Sequence, residues 1–116
     1  MTTEVRITDP DTGAEKGRKL ARMDLIPADP LWELAEHYGK GCSKYADRNW
    51  ERGYDWSLSY GAAMRHMVQF WSGEDTDVET GSKHVIAAAW HCLALAEFMD
   101  TNRAKDDRPM KDREAI

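Results

Sequence analysis

Apolar residues concentrate between about Leu31 and Met99, and their spacing predicts three helices. The first begins near Asp29-Pro30, with Asp29 as N-cap and Pro30 at the first helical position. Leu31, Leu34, Ala35 and Tyr38 share one face of it, and Gly39 with Gly41 ends it. A short turn is expected around Ser43 to Ala46, followed by a polar loop that carries Trp50 and Tyr54. The second helix runs from Asp55 or Ser57 to Ser72-Gly73. Trp56, Tyr60, Ala63, Met64, Met67 and Trp71 form its apolar stripe, and Arg65, His66 and Gln69 fall off it. The third runs from about Ser82 to Asp100 and is apolar nearly all round, which marks a central helix.

The ends differ from this middle. Residues 1–22 are polar and read as an extended arm, with a turn at Asp9-Pro10-Asp11-Thr12-Gly13 and a short strand possible at 4–8. In Glu15-Lys16-Gly17-Arg18-Lys19, three cations surround a glycine; this is a solvated run or a phosphate-contacting arm. Residues 101–116 alternate in charge without apolar periodicity and read as a frayed, disordered tail. The expected fold is therefore all-α: a small helical bundle at 23–100 between arm and tail. Three helices, one apolar all round, suggest that dimerisation completes it.

Composition narrows the partners. A formal charge of −5 argues against a duplex nucleic-acid reader, though a few basic residues suffice for one polyphosphate. No basic-then-apolar leader and no long apolar run is seen, so the expectation is a cytoplasmic protein away from the membrane. Cys42 and Cys92 are widely spaced and read as reduced thiols.

Three groups of residues carry candidate chemistry. The segment Glu74-Asp75-Thr76-Asp77-Val78-Glu79 joins the last two helices, and its carboxylates suit a hard divalent cation such as Mg²⁺. A solvated turn, with Thr76 and Glu79 as a capping box, is the plain alternative. His84 and His91 lie two turns apart on one face of the last helix, partly buried by its apolar surroundings, and Arg65 with His66 can face the same cavity. Lys44, Tyr45, Asn49 and Trp50 are types that contact a nucleotide: a cation for phosphate, an amide for a base or sugar edge, a ring for stacking. For Trp50, a hydrophobic anchor is the competing reading. Gly39-Lys40-Gly41-Cys42-Ser43-Lys44 resembles a phosphate loop in composition, but it lacks the Gly-x-x-x-x-Gly-Lys-Ser/Thr spacing and follows a helix.

Asp24-Leu25-Ile26-Pro27, Leu34-Ala35-Glu36-His37-Tyr38-Gly39, Lys44-Tyr45, Asn49-Trp50, Arg65-His66 and Gly73-Glu74-Asp75-x-Asp77-x-Glu79-x-Gly81-x-x-His84 occur in this order. Over about residues 15 to 100 the chain resembles a family of small, mostly bacteriophage proteins described as dATP/dGTP diphosphohydrolase-like, related to MazG-type nucleotide pyrophosphohydrolases. The resemblance implies Mg²⁺-dependent hydrolysis of a deoxynucleoside triphosphate to monophosphate and pyrophosphate by a helical homo-oligomer.

It also implies a metal set of paired carboxylates, Glu-x-x-Glu on one helix and Glu-x-x-Asp on another. Glu33 with Glu36 matches the first spelling; Glu74 with Asp77, and Glu97 with Asp100, match the second. On this reading Glu33, Glu36, Glu74, Asp77 and Glu79 hold Mg²⁺. Glu74, Asp77 or His84 activates water, while Lys44, Tyr45, Asn49, Trp50, Arg65, His66 and His91 bind the nucleotide. Early in the last helix, where an acidic pair is expected, stand His84 and Ala87. That leaves two other readings open: a binding protein that sequesters a nucleotide or nucleotide-derived signal without cleaving it, and a purely structural domain.

Overall fold

The computed structural model describes residues 4–41 and 44–112. The expected turn beginning at Ser43 and the thiol of Cys42 lie outside them; Cys92 is a free, exposed thiol. Strands β1 (Glu4–Thr8) and β2 (Glu15–Lys19) are followed by helices α1 (Ala28–Gly41), α2 (Trp56–Trp71) and α3 (His84–Thr101). Short 3-10 turns stand at Met23–Leu25, Asn49–Arg52 and Arg103–Lys105.

The fold is thus mainly helical, but not all-α. β1 and β2 pair antiparallel, Glu4 opposite Lys19 and Thr8 opposite Glu15. Asp9 builds the turn by accepting the backbone N–H groups of Asp11 and Thr12 on its Oδ1, at 2.8 and 2.9 Å. β1 alternates Val5 and Ile7 with polar neighbours, whereas β2 has no apolar residue and no pattern to read. Backbone pairing forms it, helped by the cross-strand ion pairs Lys19–Glu4 and Arg6–Glu15.

α3 is central, packed against α2 on one side and α1 on the other. Its Ile86, Ala87, Ala88, Ala94 and Phe98 are buried. The core joins Trp56, Ala94 and Phe98, with Trp50, Tyr54, Trp90 and Leu95 packed around them. The second helix buries only part of the apolar stripe its sequence predicts, the Trp56 and Ala63 part. Trp56, Ser59 and Ala63 are its buried residues, while Tyr60, Met64, Met67 and Trp71 are exposed. Small Ser59 and Ala63 allow α2 to lie close to α3, while Arg65 and Gln69 stay exposed.

As far as residue 112 the tail also departs from expectation: beyond α3 the chain folds back over the start of α2 instead of fraying, and residues 113–116 lie outside the described residues. The Asp107 carboxylate accepts the backbone N–H and the hydroxyl of Ser57, capping α2 from a distant part of the sequence. Asp106 is buried and held by a two-pronged pair with Arg108, whose guanidinium lies 4.9 Å from the Trp56 ring centre. Arg103 approaches the same ring at 5.3 Å. Among the described residues no helix is long and apolar enough to cross a membrane.

Candidate functional site

The loop between α2 and α3 is built, not slack. Gly73, at φ +103°, leaves α2 in a conformation that disfavours any side chain. Thr76 then pairs with Lys83 in an isolated bridge, the Asp77 N–H donates to the Ser82 carbonyl at 2.8 Å, and Gly81 closes the turn at φ +74°. Asp77 Oδ2 accepts both the N–H and the hydroxyl of Thr80. Burial pushes the Asp77 carboxyl upward, but these Thr80 bonds outweigh it and hold the group below the usual range. The loop caps itself through Asp77, and the helix starts only at His84, so Thr76 and Glu79 form no capping box for it.

All four histidines of the chain gather behind this loop. His84 is fully buried, with Nε2 3.0 Å from Glu74 Oε1 and Nδ1 2.9 Å from His66 Nδ1. His66 stacks on His91 with ring centres 6.1 Å apart. His91 Nδ1 meets Ser59 Oγ at 2.9 Å, and Ser59 in turn meets Tyr54 Oη at 2.6 Å. From α1, His37 Nδ1 lies 2.7 Å from Ser82 Oγ, which also accepts Lys40 Nζ at 2.9 Å. Burial lowers His37, and the Lys40 charge adds to it; burial likewise lowers His66, against the pull of Asp77. His91 falls furthest, to about 4, through burial first and then the charges of His66, His37 and Arg65. His91 is therefore neutral at pH 7.

Beside the histidines opens a cleft of about 810 Å³ between α1, α3 and the 44–54 segment. Tyr38, Trp50, Tyr54 and Trp90 wall it, and Lys40, Lys44 and Arg48 bring cations to it. Its volume lies within the range of small-molecule sites, about 300–1,000 Å³. The aromatic wall is the open edge of the core: Tyr38–Trp90, Trp50–Trp90 and Trp50–Phe98 ring centres stand 5.8, 6.0 and 5.9 Å apart. Packing on one side fixes these rings and leaves their other surfaces to a ligand. Trp50 is both anchor and wall.

Of the residues singled out in the sequence, Lys44, Tyr45, Asn49, Trp50, Glu79 and His91 line this cleft together. Lys44 pairs with Glu79 at 3.8 Å across its mouth. Arg65 is exposed and does not line it, though its charge reaches both His66 and His91. His66, Asp77 and His84 form a separate group at its side.

Among the described residues, the five carboxylates expected to hold Mg²⁺ form no group of three or more donors within mutual reach. Glu33 is tied to Lys83 at 3.0 Å, Glu36 is exposed, Glu79 faces Lys44, and Glu74 serves His84. Among the described residues, the one cluster of three or more His, Cys, Asp or Glu donors within mutual reach is His66, Asp77 and His84. Two imidazoles and one carboxylate do not fit Mg²⁺, which wants oxygen ligands and keeps several waters.

Sequence reasoning missed His37, Lys40, Tyr38 and Trp90. A signal existed for two of them: His37 and Lys40 are spaced i, i+3 on α1, which puts them one above the other on one face. Tyr38 and Trp90 looked like ordinary core residues, and only the position of α1 against α3 leaves them at an opening.

A family model described as dATP/dGTP diphosphohydrolase, N-terminal, matches residues 10–108. No curated protein and no solved structure matched the chain.

Proposed function

Because the chain belongs to the dATP/dGTP diphosphohydrolase, N-terminal family, we propose that its cleft binds a purine deoxynucleoside triphosphate and hydrolyses it to the monophosphate and pyrophosphate. One observation carries this reading. Five tyrosine and tryptophan rings, three cationic side chains and the Asn49 amide line a single cleft of nucleotide-accommodating size.

Each group has a role that follows from its chemistry. The base lies against the rings of Trp50, Trp90 and Tyr38, where stacking on an aromatic face contributes about 1–3 kcal/mol. Lys40, Lys44 and Arg48 offset the triphosphate charge, and Asn49 offers an amide to a base or sugar edge. A water oxygen attacks the α-phosphorus and the bond to the α–β bridging oxygen breaks, so pyrophosphate leaves. The water's proton passes to an imidazole in the cleft. His91, neutral and oriented by Ser59, has the lone pair for this. His84 is less suited, because it is fully buried and does not line the cleft. The donors that converge beside the cleft, two imidazoles and one carboxylate, do not suit Mg²⁺.

A homo-oligomer accompanies this reading. Leu58, Met64, Met67, Val68 and Trp71 are exposed along α2, which no other helix covers on that side. The radius of gyration is 18.7 Å, against about 13 Å for a compact chain of roughly 100 residues. A second copy of α2 is the proposed cover for this charge-poor face.

The activity is tested by incubating the protein with each deoxynucleoside and ribonucleoside triphosphate in turn, with divalent salts, and separating products by anion exchange. Conversion of dATP or dGTP to monophosphate and pyrophosphate supports hydrolysis. Tight retention without conversion supports the sequestering alternative and overturns the enzyme. If no nucleotide is retained or converted, the nucleotide reading fails altogether.

A further inference from the structure

We propose that His66, His84 and Asp77 form a binding site for one first-row divalent transition ion, with Glu74 fixing His84 as a ligand. One donor atom from each of the three lies within 4.8 Å of the other two. They come from α2, the start of α3 and the built loop between them, so three independent parts of the fold aim at one point.

The distances suit an ion. Two nitrogens each about 2.1 Å from a metal, at right angles to one another, stand about 3.0 Å apart. His66 Nδ1 and His84 Nδ1 are 2.9 Å apart. Without an ion the same pair is an N–H···N hydrogen bond, with His66 the donor to His84 Nδ1. The remaining contacts favour a ligand role for His84. A carboxylate can only accept, so Glu74 Oε1 at 3.0 Å accepts the hydrogen bond of Nε2–H, the tautomer whose Nδ1 lone pair is turned to His66 and Asp77. A carboxylate behind the distal nitrogen of a histidine is the recurring support of metal-bound imidazoles. Asp77 is presented by a loop that bonds one of its oxygens to Thr80, which limits its rotation.

The donor set selects the ion. Two imidazoles and a carboxylate suit Mn²⁺ through Zn²⁺, whereas Mg²⁺ and Ca²⁺ take oxygen. The site abuts the cleft: His66 stacks on His91, and Thr80, the residue that holds Asp77, lines the cleft wall. The metal the family resemblance implies and the metal these residues would hold are thus different in kind.

The test uses the full chain, stripped with a chelator, with no nucleotide present, so it stands or falls separately from the hydrolysis reading. Co²⁺ is titrated in while its visible ligand-field bands and the shifted imidazole proton resonances are followed. The expected result is saturation at one Co²⁺ per chain with two imidazoles shifted, undisturbed by a large excess of Mg²⁺. Glu74→Gln is expected to weaken binding about 10–100-fold. His66→Ala and Asp77→Asn are expected to weaken it by more than about a hundredfold, each checked for folding by circular dichroism. Asp77→Asn leaves the helices untouched and serves if His66→Ala does not fold. Absence of saturable Co²⁺ binding, wild-type affinity in either folded variant, or displacement by an equal concentration of Mg²⁺ overturns the site.

Discussion

Nε2 of His84, fully buried, lies 3.0 Å from Oε1 of Glu74, whose side chain is about half exposed. The acidic loop therefore reaches into the bundle through one carboxylate, and the buried ring depends on it. In Glu74→Leu the His84 N–H loses its acceptor, and the cost expected for an unsatisfied buried donor is about 1–3 kcal/mol. Glu74→Gln, which keeps an amide oxygen in place, is expected to lose less. Urea unfolding of the metal-free variants measures both; equal stability of Glu74→Leu and wild type would remove the loop's structural role.

The docked tail predicts a second effect. Asp107 caps α2 through Ser57, so Asp107→Ala is expected to lower the melting temperature, as lost N-caps do. Thermal unfolding shows it, and a loss within error would mean that the tail does not cap the helix.

The pH dependence of tail docking follows from Asp106. Its bond to the Arg108 guanidinium holds the carboxyl down at about 2. A depressed acid stabilises the fold above its unfolded value near 3.8 and loses that contribution as pH falls through 2. Docking is therefore expected to persist from neutrality to about pH 4 and to weaken between there and pH 2. Emission of Trp56, isolated by replacing the other four tryptophans with Phe in a variant verified to fold, follows it. Release of the tail well above pH 4 contradicts the pairing.

The outward face of α2 gives a fourth prediction. Met67→Glu with Trp71→Glu is expected to turn an oligomer into a monomer, measured by sedimentation, with helical content kept. A wild-type protein that sediments as a monomer at high concentration contradicts the proposed cover.

Much of this was legible in the residues, and the failures have physical causes. Three helices follow from periodicity, and α3 reads as central because it is apolar all round. The stripe on α2 misled in part, because Tyr60, Met64, Met67 and Trp71 face outward while Trp56 is buried. Close helix packing here uses Ser59, which scores low on any apolar pattern, beside Trp56 and Ala63 of the stripe. β2 was unreadable because all its stability comes from pairing, and the tail because its order rests on Asp106, Asp107, Arg103 and Arg108, not on apolar burial. At the site, Lys44, Tyr45, Asn49, Trp50 and His91 were identifiable by type and do share the cleft. The carboxylate set was read from spacing alone, and spacing does not reveal that Glu33 and Glu79 are taken up by Lys83 and Lys44.

The most direct test of the account is calorimetric titration of dGTP into the wild-type protein, Trp50→Ala and Lys44→Glu. Trp50 provides a stacking face and Lys44 a phosphate charge, so each variant is expected to bind more weakly, the former about 5- to 150-fold through a stacking loss of about 1–3 kcal/mol. Wild-type binding that neither substitution changes, with both variants folded, would place the nucleotide somewhere other than this cleft.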